Sequence, residues 1–202
     1  MSKEDLAQTL ILVQVENYAL QFLSQGRKEW DIPHTRSVVH YANEIGQSVN
    51  LDLLVEKTAA WFHDIGYFYL FEGGDSNQKD AVRDRKARHM TEGTRLAKEF
   101  LDRSDIAKHY RPDQASRIVH LVGKHDRVVE LTDLDELVLM EADTLGTLDL
   151  TSITPTYDYN DAVKYLESVR RKRVPRFTTQ LGKRYLEDLL PKFEEYLQSK
   201  RT

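Results

Sequence analysis

Six side chains of the kinds that bind metals in proteins lie in a fixed order along this sequence. A histidine comes first, an adjacent His-Asp pair follows, and two histidines and an aspartate complete the series: His34, His63, Asp64, His89, His125 and Asp143. Imidazole nitrogens and carboxylate oxygens are the ligands that a protein offers to a divalent metal at a hydrolytic centre. The series therefore predicts a metal site with hydrolytic chemistry.

Local context supports a role for the His63-Asp64 pair and for Asp143. Side chains of neighbouring residues diverge by about 100° around a helix axis, so one member of the pair does not duplicate the other. We expect His63 to bind one metal while Asp64 lies between two sites as a bridge. Asp143 follows the apolar segment Leu137-Val-Leu-Met140, where an unpaired charge is costly and a metal would satisfy it. Each of these residues, taken singly, could equally serve as a charged group at a helix end or as a helix cap, without binding a metal.

Helical spacing of apolar residues dominates the sequence and predicts an all-α, single-domain bundle of about seven to nine helices over residues 1–202. We expect the first helix to end near Gly26 and the second to begin with Pro33 as its first residue and end near Gly46. Further helices are predicted at 51–64, from about 89 to 101, from 112 to 122, at 134–145, at 162–171 and at 177–198. Pro191 predicts a kink or a break in the last helix. Residues 72–80 and 157–160 are predicted to be loops.

Composition limits the classes of protein to which the chain can belong. The 202 residues are 40% hydrophobic and 31% charged, with a net charge of −4, which is typical of a soluble globular protein and does not favour a broad nucleic-acid interface. The absence of cysteine excludes disulfides, thiolate metal sites and a cysteine nucleophile. With neither a secretory signal nor an apolar span, we predict a cytoplasmic protein. Composition leaves the oligomeric state open, including a homo-oligomer.

Five segments together resemble the HD-domain superfamily of metal-dependent phosphohydrolases, in the manner of its small single-domain bacterial members. They are HTRSVVHYANEIG, LDLLVEKTAAWFHDIGY, RHMTEGTRLAKEFL, RIVHLVGKH and LVLMEADTLGTLDL, which contain the six residues above. The similarity covers about residues 20–150, and residues 160–199 resemble the closing helices of the small members. The resemblance implies an all-α bundle, in agreement with the helical spacing.

The resemblance also implies roles for individual residues. His34, His63, Asp64 and Asp143 match the family's core metal ligands, and His89 and His125 match the histidines of members that hold a second metal. One or two divalent ions are thus implied, with manganese, iron, cobalt, zinc, nickel and magnesium not distinguished. The implied activity is hydrolysis of a small phosphoester or nucleotide. Asp64, His89 and His125 are the candidate catalytic residues, and Lys124 is the first candidate for a phosphate contact.

Two alternatives stay open from the sequence. Some HD-fold proteins with a similar six-ligand pattern hold two irons and are oxygenases. A non-catalytic metal-binding or ligand-sensing module is the other alternative, and it would be favoured only if a ligand position were missing. The short basic run Arg170-Arg-Lys-Arg173 is expected to be a solvated helix end, or else a contact for an acidic partner or a second subunit.

Overall fold

A computed structural model describes residues 3–68, 79–155 and 159–201, and this part of the chain contains nine α-helices joined by turns and no strand. The helices are α1 (Lys3–Leu23), α2 (Lys28–Ser48), α3 (Leu53–Phe62), α4 (Lys79–Leu101), α5 (Ser104–Ala107), α6 (Pro112–Lys124), α7 (Leu134–Leu148), α8 (Tyr159–Ser168) and α9 (Gln180–Ser199). The predicted all-α fold is therefore confirmed. None of the described helices combines the length and the apolar composition that a membrane span requires.

Helix α7 lies at the centre of the bundle. Every residue from position 136 to position 148 is buried, as the apolar character of this segment predicts. Helix α2 packs along α7, α3 packs on both α2 and α6, and α9 covers another side of α7. Asp143 is thus carried by the most enclosed helix of the fold, and the ligand candidates of α2 and α3 come from its neighbours.

Helices α2 and α4 begin earlier than the sequence predicted. Helix α2 starts at Lys28, so Pro33 lies inside it and not at its first position. Two hydrogen bonds stabilise the added first turn of α2. The buried Asp31 carboxylate accepts one from the backbone N–H of Arg27 at 2.6 Å and one from the Nη2 of the Arg27 guanidinium at 2.8 Å. Helix α4 starts at Lys79, ten residues before the predicted start near His89. The predicted loop at 72–80 therefore ends within α4, and residues 72–78 lie outside the described part.

The C-terminal helices also differ from prediction in their ends. Helix α9 begins at Gln180, three residues later than expected, because the Thr179 side chain accepts the Gly182 N–H at 3.0 Å and caps the helix. The helix continues through Pro191, so of the predicted kink or break the break is wrong, and the kink stays a prediction. Buried Leu189 and Phe193 flank the proline and hold the helix against the core on both sides. Of the predicted loop at 157–160, residues 157 and 158 lie outside the described part and 159–160 begin α8.

Gly66 sets how closely the turn after α3 approaches α4. A Cβ at this position would lie 2.0 Å from the carbonyl oxygen of His89 and 2.6 Å from the backbone nitrogen of Gly93. Because both atoms belong to the helix backbone, neither can move aside without shifting α4. The close approach brings the His63-Asp64 pair beside the ligand candidate of α4.

Candidate metal centre

Five helices, together with the turn that follows α3, bring the six candidate ligands together. His63 is the C-cap of α3, Asp64 precedes the short 3-10 turn Ile65–Tyr67, and His125 is the C-cap of α6. His34 and His89 lie inside α2 and α4 and not at their starts, because both helices begin earlier than predicted. The fifth helix is α7, which contributes Asp143. All six side chains are almost completely excluded from solvent.

The first group of ligand atoms surrounds one oxygen of Asp64. Its Oδ2 lies 3.4 Å from Nε2 of His63 and 3.9 Å from Nε2 of His34. Asp143 closes this group, with its Oδ1 at 3.2 Å from Nε2 of His34 and 3.9 Å from Nε2 of His63. Two imidazoles and two carboxylates therefore point at one small volume.

The second group surrounds the other oxygen of the same carboxylate. Oδ1 of Asp64 lies 3.6 Å from Nε2 of His89 and 3.5 Å from Nε2 of His125, and these two nitrogens are 3.2 Å apart. The ligand atoms of His34, His63 and Asp64 lie within 4.8 Å of one another, and so do those of Asp64, His89 and His125, which suits a metal ion in each group. Asp64 is shared between the groups, as its position beside His63 in the sequence suggested.

The hydrogen bonds of two histidines match what a metal requires. Nδ1 of His63 donates to the carbonyl oxygen of Ala60 at 2.7 Å, and Nδ1 of His125 donates to that of Val122 at 2.9 Å. With Nδ1 protonated, the Nε2 lone pair of a neutral imidazole is directed into the cluster. Nε2 of His63 also lies 3.4 Å from Nε2 of His34. Lone pairs that face each other at this distance repel unless a cation or a proton lies between them, so the donor set fits a divalent metal.

Charge within the cluster keeps both carboxylates ionised. Burial raises the pKa of Asp64, but the neighbouring His63 and His125 outweigh it and hold that pKa well below its usual range. Burial likewise raises the pKa of Asp143, while Arg173 and His34 lower it further than burial raises it. Both aspartates are therefore negatively charged at neutral pH and able to bind a cation.

Arg173 is a buried cation of this site that the sequence analysis placed on a solvated helix end. Its Nη1 donates to Oδ2 of Asp143 at 2.6 Å and its Nη2 donates to Oδ1 of Asp126 at 2.8 Å. The guanidinium thus fixes Asp143 through the oxygen that faces away from His34. The expectation of a solvated position is wrong for Arg173, because the chain forms a π-helical turn over Val169–Arg173 that turns this side chain inward.

Two aromatic rings and an arginine line the side of the cluster formed by α2 and the turn after α3. The Trp30 ring stacks on His34 with centroids 5.6 Å apart, and Tyr67 stacks on His89 at 4.1 Å. The guanidinium of Arg27 lies 5.9 Å from the Trp30 ring and 5.3 Å from the Tyr67 ring. Sequence analysis missed Arg27, because this residue lies before α2 and well before Pro33, where the helix was predicted to begin.

Lys124, the predicted phosphate contact, donates to Oε1 of Glu136 at 2.9 Å. The same carboxylate accepts from Nε2 of His120 at 2.6 Å and from the backbone N–H of Thr132 at 2.7 Å, and it closes the capping box of α7. Lys124 therefore takes part in an ion pair that fixes the start of α7, and its catalytic role stays a prediction. Three further cations lie close to the candidate ligands in the sequence: Arg36 and Arg127 form exposed ion pairs with Glu16 and Glu130, and Arg88 is exposed.

Replacing Glu136 by glutamine is expected to destabilise the protein by about 3 kcal/mol at neutral pH. Burial raises the pKa of Glu136, but hydrogen bonds from His120, Thr132 and Lys124 lower it to about 2 from its ordinary value of 4.5. Because the folded-state pKa is the lower one, this contribution is complete above pH 4.5 and is lost as the pH falls toward 2. Urea denaturation of both proteins at stepwise lower pH should show the stability difference shrinking across this window; a constant difference would contradict the assignment.

The described structure is an all-α bundle that encloses two His/Asp groups around one shared aspartate, an arrangement compatible with metal binding. The sequence profile of the HD domain matches residues 32–148, which is more than half of the chain. The chain therefore belongs to the HD domain family, and the resemblance noted from its sequence segments is confirmed. Comparison with curated proteins gives no significant match.

Two solved structures share the fold. One is the crystal structure of a predicted HD superfamily hydrolase from an uncultured Thermotogales bacterium, with a TM-score of 0.61, 20% identity, and coverage of 93% of this chain and 89% of that one. The other is YpgQ from Bacillus subtilis in its selenomethionine form, with a TM-score of 0.57, 16% identity, and coverage of 96% and 93%. At these identities the likeness concerns the fold.

Proposed function

We propose that this protein is a metal-dependent hydrolase of a small phosphoester or nucleotide. The observation that carries the proposal is the division of the Asp64 carboxylate between two ligand groups, each completed by two histidines. Membership of the HD domain family and the predicted hydrolase of similar fold support it. A divalent cation supplies activation of water at neutral pH and neutralisation of charge on a phosphoryl group.

Residues of the cluster are candidates for binding the metal and for supplying a proton to the leaving group. His34, His63 and Asp143 would hold a metal with one oxygen of Asp64, and His89 and His125 would hold a second metal with the other oxygen. In a single-metal enzyme, His89 and His125 would instead face the phosphate and supply a proton to the leaving oxygen. Because all of these side chains are buried, the reaction would take place in a low-dielectric environment where their charges act strongly.

Arg27 is the candidate cation for the substrate phosphate. It lies between the two rings that stack on His34 and His89, so it stands beside both ligand groups. Its hydrogen bonds to Asp31 fix the guanidinium, as a preorganised phosphate contact requires. One planar cation positioned this way can bind a phosphoryl oxygen without displacing a metal ligand.

An Arg27→Gln variant is expected to lose about ten- to a hundred-fold in kcat/KM for a phosphoester, with most of the loss in KM. Glutamine removes the charge but keeps a hydrogen-bonding group. Arg95→Gln is a matched control, because Arg95 is exposed and pairs only with glutamates of its own helix in the described structure. Unchanged kinetics in Arg27→Gln, with normal metal content, would remove Arg27 from the phosphate site while leaving the hydrolase proposal in place.

The proposal is tested by metal content and activity in parallel. Protein purified without chelator or affinity-tag metal is analysed by inductively coupled plasma mass spectrometry, alongside a His63→Ala, Asp64→Ala double variant. We expect one or two metals per chain in the wild type and none in the variant. The wild type should hydrolyse phosphomonoesters or nucleotides, and this activity should be lost when a chelator removes the metal and return when the metal is added back. Failure to bind manganese, iron, cobalt or zinc would overturn the proposal. Iron content with oxygen consumption and no hydrolysis would favour the oxygenase alternative.

A further inference from the structure

Helix α1 carries an apolar stripe on the side that faces solvent. Its other side packs on α2, α3 and the turn after α3, and buries Ile11 and Val15. Opposite to these residues lie Leu6, Leu10 and Val13, which are 45%, 56% and 49% exposed. Five large hydrophobic residues are exposed in the described part of the chain, and three of them belong to this stripe. Exposed apolar residues scattered singly need no explanation, but a continuous stripe marks a surface for a partner.

The surroundings of the stripe are almost uncharged. Between positions 6 and 24 the sequence has one charged residue, Glu16, although 31% of the whole chain is charged. Glu16 lies to one side of the stripe and pairs with Arg36 of α2 at 3.4 Å. The neutral residues Thr9 and Gln14 occupy positions beside the stripe. A helix face that stays in water normally carries charged side chains, so this face is typical of one that another helix covers.

The residues of the stripe follow the spacing of a coiled coil. From Leu6 the intervals are four, three, four and three residues, through Leu10, Val13 and Asn17 to the half-buried Leu20. A mean repeat of 3.5 residues directs side chains at one neighbouring helix over several turns, about 21 Å here. A single asparagine within such a seam fixes the register and the number of helices. The pattern therefore indicates a helix partner with a matching seam.

We propose that α1 pairs with α1 of a second copy of this chain, in a parallel and in-register dimer. A second copy is favoured because a two-fold axis makes one stripe complementary to itself, and because an uncharged seam requires no opposite charge on its partner. In-register pairing also places Asn17 opposite the same residue of the second copy, where the two amides can hydrogen-bond to each other. An antiparallel pair that matches Leu10 with Val13 would instead place the Asn17 amide against an apolar side chain.

A membrane surface fits this helix less well than a second copy does. Helices that lie on membranes carry Lys or Arg beside the apolar face, and residues 6–24 contain neither. The length of the seam also limits the strength of the dimer. Because about 21 Å of helix gives a contact at the small end of specific interfaces, we expect a dissociation constant of roughly 10–100 µM.

The test is sedimentation velocity of the full chain from about 1 to 500 µM, which spans the expected dissociation constant. We expect monomer at the low end and dimer at the high end. Val13→Glu places two like charges together in the seam and should weaken the dimer at least about ten-fold. Val129→Glu is the matched control, because Val129 is an exposed valine of the short turn Val128–Glu130, and this variant should dimerise as the wild type does.

Two results of this experiment would overturn the proposal. One is equal association of Val13→Glu and the wild type. The other is a wild type that stays monomeric over the whole range, whether or not it binds vesicles of phosphatidylcholine and phosphatidylglycerol in a parallel experiment. Circular dichroism of each variant shows that its helices are retained.

Disulfide cross-linking tests the orientation of the helices. The chain has no cysteine, so a single introduced cysteine reports one pair of positions. Val13→Cys should form a cross-linked dimer on mild oxidation, and Val129→Cys should not. Cross-links that require a mixture of Leu10→Cys and Val13→Cys proteins would show antiparallel helices and would contradict the proposed pairing. Neither measurement uses metal or hydrolysis, so the dimer and the hydrolase proposal can fail separately.

Discussion

An Asp64→Asn variant is expected to lose both metal loading and at least about a thousand-fold in the rate of phosphoester hydrolysis. Among the described residues, Asp64 is the one carboxylate that faces both ligand groups, with Oδ2 at 3.4 Å from Nε2 of His63 and Oδ1 at 3.5 Å from Nε2 of His125. Asparagine keeps the shape but removes the negative charge, and its amide nitrogen offers no lone pair to a metal. Both halves of the centre are therefore weakened by one change.

The two halves can be compared through single-histidine variants. His63→Ala should lower metal content in the group that includes Asp143, and His125→Ala should lower it in the other group. Asp105→Asn is the control for Asp64→Asn, because this exposed carboxylate pairs only with Arg103 in the described structure. Metal content and hydrolysis are measured on each protein. An Asp64→Asn protein with wild-type metal content and rate would show that this carboxylate is not the bridge.

The sequence was most informative where local chemistry and packing agree. Helix α6 shows this: Pro112 starts it at a position where its missing N–H costs nothing, and Ile118 and Val122 bury one face, as predicted. The order of histidines and aspartates also indicated which residues the fold brings together. All six candidate ligands lie in one cluster because α2, α3 and α6 pack on α7, and α4 packs on α6 and on the turn after α3.

The starts of α2 and α4 were not predictable from local signals. Pro33 has the local signature of a first helical residue, but burial of Trp30 and Asp31 extends α2 by five residues before it. Tertiary packing outweighs the local preference here, because the energy of burying these side chains exceeds the loss of one backbone hydrogen bond. The consequence is that His34 is held within a regular helix.

Arg173 was missed for a different reason. It follows three other basic residues, and such a run is typical of a solvated helix end. Its partner Asp143 lies 30 residues earlier, so no local spacing connects them. A signal was present, since Ala162, Val169 and Arg173 follow helical spacing on one face and the first two are buried. An arginine at the end of an apolar face is a candidate for a buried ion pair.

Replacing Arg173 by methionine is expected to destabilise the protein by about 3–5 kcal/mol and to lower metal affinity about ten- to a hundred-fold. Methionine fills much of the space but leaves Asp143 and Asp126 without the cation that both contact, at 2.6 Å and 2.8 Å. Asp143 then loses the hydrogen bond to its Oδ2, and this bond is what keeps Oδ1 directed toward His34. Urea denaturation measures the first effect, and titration of metal into metal-free protein measures the second.

The Arg173→Lys variant distinguishes a structural role of Arg173 from a role in positioning Asp143. Arg173→Lys keeps the charge but, with one nitrogen, cannot contact both aspartates through separate donors, so stability should recover more than metal affinity. Arg170→Met is the matched control, because Arg170 belongs to the same basic run but forms an exposed ion pair with Glu194. Its metal affinity should equal that of the wild type. If Arg173→Met unfolds at the wild-type urea concentration and binds metal normally, the guanidinium does not position Asp143, and the orientation of this ligand must come from α7 alone.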